Sequence, residues 1–486
     1  MKTKSSSFFM WIEKSKYPGS APYDPEIKYP EYPFNYMQRP YKEINDVYRM
    51  IREIFISNHF DDERVNTDKW NPLGHCISPG NTVLIKPNWV SHHNPAEVDV
   101  RKQLDCLITH PSVVRCLFDY VYIALHGKGK IIIADAPVQG CRFDELALNS
   151  GYGELFEYFY EKNSNDLIID IADLREVQMI YENDKYIQKE CCENKYKGIV
   201  IDLNDNSYFR TVKSKRRLRV TNYAAKDTII HHSCGKNQYS VSTALLEADV
   251  IINIPKPKTH RIAGYTAALK NMIGINTRKE YLPHHRKGKK GELGDEYIGT
   301  HNFLKYLNST GNDLRNWALK HHKYFLAKIT NDFSRFIGKN LDVLEKDRKK
   351  FGMWYGNDTI WRTILDVNKI VYYVDKNGAM SSEQQRKVLH FGDMIVCGDK
   401  DGPLRPSYRE VGGILFSDNP VAFDYCVVKL MGLDYKKFPV LLHAVNESGL
   451  LGERADEIVL HSNVEMYNKT ADEIKDSFMF NLPMGW

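Results

Sequence analysis

Within Asp249–Arg278, DVIINIPKPKTHRIAGYTAALKNMIGINTR, the side chains of Lys256, Lys258, His260 and Arg261 fall within six residues, with Pro255 before the first lysine and Pro257 between the two. The apolar run before them, Val250–Ile254, reads as a buried strand. Proline fixes φ and stiffens the backbone, so a strand ending in a rigid, cationic loop is suited to holding an anion. A solvated surface loop is the competing reading. It is disfavoured because so apolar a strand is seldom followed by lysines with prolines between them. After Gly264 a helix-like segment carries Lys270 and Asn271 and closes at Gly274, with Arg278 just beyond.

Two other apolar strands end in polar residues that packing does not require. Thr82–Ile85 runs into Lys86, Pro87 and Asn88, and GKIIIADAP runs into Asp135. In open parallel α/β sheets, ligands bind beyond the carboxyl ends of the strands. If these strands are neighbours, their ends converge into a cluster of cations with one carboxylate and one imidazole. That cluster suits a phosphate- or carboxylate-bearing small molecule, with a divalent metal such as Mg²⁺ as one cofactor its acidic side could take. Lys86, Asn88, Lys256, Lys258, Lys270, Asn271 and Arg278 are the expected substrate contacts. His260 is the expected proton-transfer group, and Asp135 would orient a base or bind a metal. His110, in THP before a helix, either does acid–base work or caps the helix. Lys256→Ala and Lys258→Ala are expected to abolish ligand binding and leave the fold intact.

A second, acidic group comprises Asp366 and Asn368, Asp393, Asp399 and Asp401 in GDKDGP, and Asp424. Asp366, Asp399 and Asp401 are the candidate metal ligands, although GDKDGP lacks the later ligands of a calcium loop and a turn is favoured there. Asp424 lies in an apolar helix and needs a partner: a helix end, a lysine or a metal. Four His–His pairs occur, His92–His93, His231–His232, His284–His285 and His321–His322, but adjacent side chains diverge and do not share a metal. With no HExxH or paired Cys/His spacing, zinc is not expected. SCGKN, Ser233–Asn237, lacks the flanking residues of a phosphate loop.

The net charge of +5 over 486 residues gives no case for nucleic acid. No apolar stretch reaches the ~18 residues that span a bilayer, so membrane insertion is not expected. The amino-terminal apolar run is too short for a secretory signal. Nine scattered cysteines without a CxxC point to reduced thiols and a cytoplasmic protein, and leave no ferredoxin-type iron–sulfur motif.

Strand, helix and strand recur along the chain, with ITHPSVVRCLFDYVYIALHG as the clearest helix. The expected fold is α/β: a parallel or mixed sheet flanked by helices in Rossmann-like layers, with a polar inserted region and a helical insertion. Residues 1–70 form a Tyr/Pro-rich extension, wrapping over the surface, and a helix from about Tyr41 to Asn58. Residues 71–460 form the core domain, with insertions at about 151–236 and 281–350. Residues 461–486 form a tail. In the second insertion, apolar residues at Leu314, Trp317, Tyr324, Phe325, Ile329, Phe333 and Phe336 suggest helices covering one face. NPVAFDYCVVKLMGLD is a helix with Asn419 as N-cap and Pro420 in its first turn.

TVLIKPNWV, THPSVV, IIIADAP, INIPKPKTH and GYTAALKNMIGI occur in the order expected of domain-of-unknown-function family 362, which the chain resembles. TILDVNKIVYYVDKNG, GDMIVCGDKDGPLRP and GGILFSDNPVAFDYCVVKLMGLD extend the resemblance over roughly Asn81–Leu442. The family is distantly similar to the amino-terminal domain of nickel-dependent lactate racemases, which implies an α/β fold and not a racemase. Many members append a ferredoxin-like module, which this chain lacks. The LPHHRKG loop implies a context in surface-polysaccharide metabolism. The first functional expectation is a cytoplasmic enzyme of unknown reaction class acting on an anionic small molecule. The alternatives are a non-catalytic anion-binding or scaffold protein, and a redox protein whose metal centre uses Cys234, Cys141 or Cys397. The sequence does not give the cofactor or the oligomeric state.

Overall fold

Short runs of Val, Ile and Leu with two buried faces make the centre of the molecule a sheet. The computed structural model describes residues 5–34, 44–182, 185–191, 194–221, 223–344, 351–446, 457–475 and 477–486. The sheet strands are β1 (Ser6–Trp11), β2 (Thr82–Lys86), β3 (Gly129–Asp135), β4 (Leu167–Asp173), β5 (Val250–Asn253), β6 (Lys258–His260), β7 (Gly264–Thr266), β8 (Lys387–Asp401), β9 (Arg405–Ser417), β10 (Val459–Ser462) and β11 (Lys469–Thr470). They form one eleven-stranded mixed sheet in the order β11-β10-β1-β9-β8-β5-β2-β3-β4, with β6 paired to β8 and to β7. The helices used below are α1 (Asp46–Ser57), α2 (Pro111–Leu125), α3 (Ala268–Asn271), α4 (Asn302–Lys320), α5 (Tyr324–Leu344), α6 (Ile360–Tyr373) and α7 (Pro420–Leu430).

From β4 through β3, β2 and β5 to β8 every pairing is parallel. Side chains alternate between two cores. Val83, Ile85, Ile131, Ile133 and Ile252 pack with Ile51 of α1 and Leu117 of α2 on one side. Leu84, Ile132, Ile251 and Val388 pack with Leu245 and with Ile370 and Val371 of α6 on the other. This is the expected α/β layering. The register puts Lys86 beside Asn253, Asn253 beside His390, and Asp135 beside Asp173. The polar strand ends therefore do line one edge.

The boundaries differ from the sequence expectation in four places. Ser6–Trp11 does not wrap over the surface. It is a strand, antiparallel to β9 and parallel to β10, with Phe9 fully buried. The helix expected from Tyr41 runs from Asp46 to Ser57 with Asn45 as its N-cap; the expected start, Tyr41, lies outside the described residues. The polar region expected from 151 begins with a helix, Tyr152–Tyr160, and with β4, both part of the core. β4 is an edge strand of the sheet, with Leu167 and Ile169 buried. The tail is fastened to the core: Asn481 donates to Asp399 from both N and Nδ2, at 2.7 and 2.8 Å, and Trp486 Nε1 donates to Arg261 O at 2.7 Å.

The helical insertion is a hairpin of α4 and α5. Of the seven apolar residues expected to cover a face, all but Tyr324 are exposed, Phe325 by 79% and Phe336 by 69%. The periodicity is real, but the stripe it describes points to solvent.

Asp424 of α7 has the partners that its burial demands. Its carboxylate accepts from Tyr265 OH at 2.9 Å, Ala268 N at 2.7 Å and Leu269 N at 3.4 Å. It therefore caps the start of α3, and burial raises its pKa to about 7. Asp424→Ala strands a buried hydroxyl and two N–H groups and should lower the unfolding free energy by about 2–4 kcal/mol. Asp424→Asn, which keeps an acceptor, should cost about 1 kcal/mol or less. Urea denaturation of the two variants checks the ordering.

Candidate functional site

The KPKTH segment leaves β5 and runs along β8 rather than looping into solvent. A proline has no N–H to leave unsatisfied, and its carbonyl is free to accept. Pro255 O accepts from Asp393 N at 3.0 Å and Pro257 O from Gly398 N at 3.1 Å. Lys258–His260 then rejoins the sheet, so Lys256, Lys258 and His260 are all buried. Thr109 ties this segment to the end of β2. Its Oγ1 donates to Ile254 O at 2.7 Å and accepts from Asn88 N at 2.8 Å.

Two of the lysines are neutralised from within. Lys86 Nζ lies 2.8 Å from Asp135 Oδ1, and Asp135 Oδ2 accepts from Trp89 N at 2.7 Å. Burial lowers the pKa of Lys86 and Asp135 opposes the shift. Gly274 roofs this pair so closely that a Cβ there would sit 1.8 Å from Asp135 Oδ1. Lys256 Nζ lies 2.6 Å from Asp393 Oδ2 and donates to Tyr17 OH at 2.7 Å and Val396 O at 2.9 Å. Removing Lys256 would leave a buried carboxylate unpaired, which typically costs about 3–5 kcal/mol. The expectation that Lys256→Ala spares the fold is therefore corrected.

Among the described residues no carboxylate pairs with Lys258. Its Nζ donates to Asn88 Oδ1 at 2.9 Å and to Leu107 O, and burial, then repulsion by Lys256, brings its pKa down to about 7. From Asn88 a chain of donors runs across the sheet edge. Asn88 Nδ2 donates to Asn271 Oδ1 at 2.8 Å and Asn271 Nδ2 to Asn253 Oδ1 at 2.7 Å. Asn253 Nδ2 meets His390 Nδ1 at 3.0 Å, and His390 Nε2 meets Tyr372 OH at 2.9 Å. Burial lowers the pKa of His390 to about 3, so the ring is neutral, accepting at Nδ1 and donating at Nε2.

The open part of the edge lies beside this buried network. Lys270, Ile273, Gly274, Lys279 and His284 are all partly solvent-exposed. Lys270 has no hydrogen-bond or ion-pair partner for its ammonium among the described residues, and burial lowers its pKa to about 8. Lys279, which the sequence reading passed over for Arg278, donates to Ala136 O at 2.9 Å; burial lowers its pKa to about 8 against the pull of Asp135. His260 Nδ1 accepts from Ile262 N and Ala263 N at 3.0 and 3.1 Å, which leaves Nε2 as its N–H. Burial, then Lys270, holds His260 well below the usual imidazole range. His284 Nδ1 donates to Leu282 O at 2.6 Å, which leaves Nε2 as an acceptor; burial, then Lys270, lowers its pKa to about 4. The partly exposed edge thus presents the Lys270 ammonium and the His284 lone pair, with the buried His260 N–H within electrostatic reach of Lys270. His284 was noted in the sequence only as half of a His–His pair. Nothing local in sequence separates it from the other pairs.

The remaining candidates lie apart from this opening. Arg278 is held by Glu190 at 3.0 Å, Glu280 at 3.1 Å and Glu176 at 3.8 Å. His110 caps α2, its Nδ1 accepting from Ser112 N at 3.2 Å, and stacks on Tyr17 with centroids 3.9 Å apart. Burial, then Lys256, keeps its ring neutral. Asp366 accepts from Ser207 Oγ, Tyr208 N and Tyr239 OH, Asp399 from Asn481, and Asp401 pairs with Arg261. Among the described residues no three His, Cys, Asp or Glu side chains gather as a metal-binding group.

A family model described as a domain of unknown function, DUF362, matches residues 83–181 and 192–429. The chain belongs to the DUF362 family. The matched span of this DUF362 chain holds every strand end described above. No curated protein is significantly similar to it in sequence. Among solved structures it is similar to a Thermotoga maritima protein, with 10% identity, a TM-score of 0.27 and coverage of 70% of this chain and 53% of that one. It is also similar to the lactate racemase apoprotein of Thermoanaerobacterium thermosaccharolyticum, with 11% identity, a TM-score of 0.27 and coverage of 76% and 52%. The chain thus spans about half the length of either protein. Neither similarity transfers a reaction or a cofactor. No helix among the described residues is long and apolar enough to cross a membrane.

Lys258 provides a test of the buried network. Between about pH 7 and 10.5 its amine is neutral in the folded chain and protonated in the unfolded one. The unfolded state therefore binds more protons, and stability contributed here rises with pH, by at most about 1.4 kcal/mol per pH unit. Urea unfolding of the parent and of Lys258→Met across that window should show the parent gaining on the variant as pH rises. Parallel curves would mean that Lys258 is not the source.

Proposed function

We propose that this DUF362 chain is an enzyme acting on a small anionic molecule held at the carboxyl edge of β2, β3 and β5. The observation that carries the reading is Lys270, a partly exposed ammonium with no carboxylate partner, beside two imidazoles held neutral with opposite tautomers. An anion supplies the missing counter-charge, and the N–H of His260 adds a hydrogen bond. With a pKa of about 8, Lys270 changes protonation state close to neutrality, which suits acid–base work on the bound molecule. Lys86, Lys256, Lys258, Asn88, Asn271 and Asp135 act one layer below, fixing the edge on which the opening sits. A phosphate on a sugar or nucleotide fits both the charge and the surface-polysaccharide context that the resemblance implies.

A non-catalytic anion-binding protein is the second reading, favoured by His260, whose Nδ1 is occupied by two backbone N–H groups. Small molecules extracted from the freshly purified parent and from Lys270→Ala, identified by mass spectrometry, test the site. Titrations with inorganic phosphate, a nucleoside diphosphate and a dicarboxylate accompany them. The parent should bind at least one, and Lys270→Ala should bind it about tenfold or more weakly, a loss of about 1.4 kcal/mol. Equal binding by the variant, or none by the parent, would place the function elsewhere. His260→Gln should cut turnover if the chain is an enzyme and shift affinity alone if it is not.

A further inference from the structure

The α4–α5 hairpin is built the wrong way round for a helix pair in water. The face that α5 turns to α4 is made of Ala327, Thr330, Ser334, Ile337, Gly338 and Leu341, mostly small or polar. Gly311 of α4 meets Ser334 across it, which brings the backbones close. The opposite face of α5 carries its bulk: Phe325, Ile329, Phe336 and Val343 are 79, 49, 69 and 79% exposed. They recur every four to seven residues and so form one continuous stripe. A soluble helix normally buries such a stripe, and contiguous exposed apolar surface marks a contact site. Lys328, Arg335 and Lys339, all exposed, line the flank of the same stripe, with one exposed acid, Asp332, among them. From Asn302 to Leu344 seven Lys and Arg stand against three Asp, a net charge of +4 where the whole chain carries +5. Asp313 is paired with Arg219 and Lys287, and among the cations Lys320 is paired with Asp227 and Lys305 is buried.

We propose that this hairpin docks the protein on an anionic lipid bilayer surface, with α5 lying in the interface. Bulky aliphatic and aromatic residues bordered by a row of cations are what an interfacial helix presents to acyl chains and acidic headgroups. The charge distribution favours lipid over a second copy of the chain. In a two-fold contact the patch meets a second copy of itself, which sets a flank of three cations and one carboxylate against another of the same net positive charge. Acidic headgroups neutralise the cations instead. The docking is peripheral, since no helix among the described residues is long and apolar enough to span. It is independent of the anion site.

The full chain is sedimented with phosphatidylcholine vesicles with and without phosphatidylglycerol. The parent should partition onto the anionic vesicles and be released by salt. Phe325→Ser/Phe336→Ser and Lys328→Glu/Arg335→Glu, all at exposed positions, should each partition about tenfold less while keeping the parent's circular dichroism. No partition of the parent, or partition that neither variant weakens, overturns the proposal. So does a dimer in sedimentation velocity that Phe325→Ser/Phe336→Ser dissociates while the parent ignores vesicles, since a second copy would then cover the stripe.

Discussion

Charge buried at the end of a strand has to be matched from within the protein, and the carboxyl edge of this sheet is organised by that requirement. Lys86 and Lys256 are both fully buried, and each is answered by a carboxylate less than 3 Å away, Asp135 on a neighbouring strand and Asp393 on β8. The Coulomb attraction offsets desolvation only when the geometry is close and the remaining donors and acceptors are satisfied. Trp89 N, Tyr17 OH and the carbonyl of Val396 supply those contacts. The demand fixes the neighbours as well. Only a glycine can stand at 274, because any side chain would enter the Lys86–Asp135 pair.

Lys258 departs from this pattern and shows how the edge is graded. With Asn88 Oδ1 and Leu107 O, both neutral, as its acceptors among the described residues, its pKa falls towards neutrality. The amides that continue from it pass donor to acceptor in one direction, ending on a histidine whose tautomer they set. A chain of this kind has one consistent arrangement of hydrogens, and reversing one amide would set donor against donor. The edge beneath Lys270 is thus rigid, while Lys270, Lys279 and His284 remain reachable from solvent.

The strands and the convergence of Lys86, Asp135 and the KPKTH segment were legible in the sequence. Apolar runs ending in polar residues report both the strand and the end of its burial. The identity of the counter-ions was not legible. Asp393 looked like one member of an acidic group suited to metal, and only the parallel register of β5 with β8 shows that it answers Lys256. Lys279 and His284 reach the opening through a turn and a bridge with no periodicity to read. Ser6–Trp11 was missed because the six-residue run SSFFMW carries little alternation of its own, and its partners lie some 400 residues away. In α5 the period was read correctly and its direction was not. Periodicity shows that a helix has two faces and leaves open which of them is wet.

The placement of β1 has a consequence for how the molecule is made. It lies between β9 and β10, antiparallel to one and parallel to the other, so this strand is synthesised well before its partners at Arg405–Ser417 and Val459–Ser462. Until they emerge, Phe9 and the unpaired backbone of this strand are open to neighbouring chains, the circumstance in which strand edges recruit wrong partners. Closing a loop of that length is slow because its entropy is lost before any contact is gained. The sheet therefore cannot be completed from the ribosome outward. Ser6–Trp11 can pair only after both partner strands have been made, and until then its edge is the one a nascent chain leaves open.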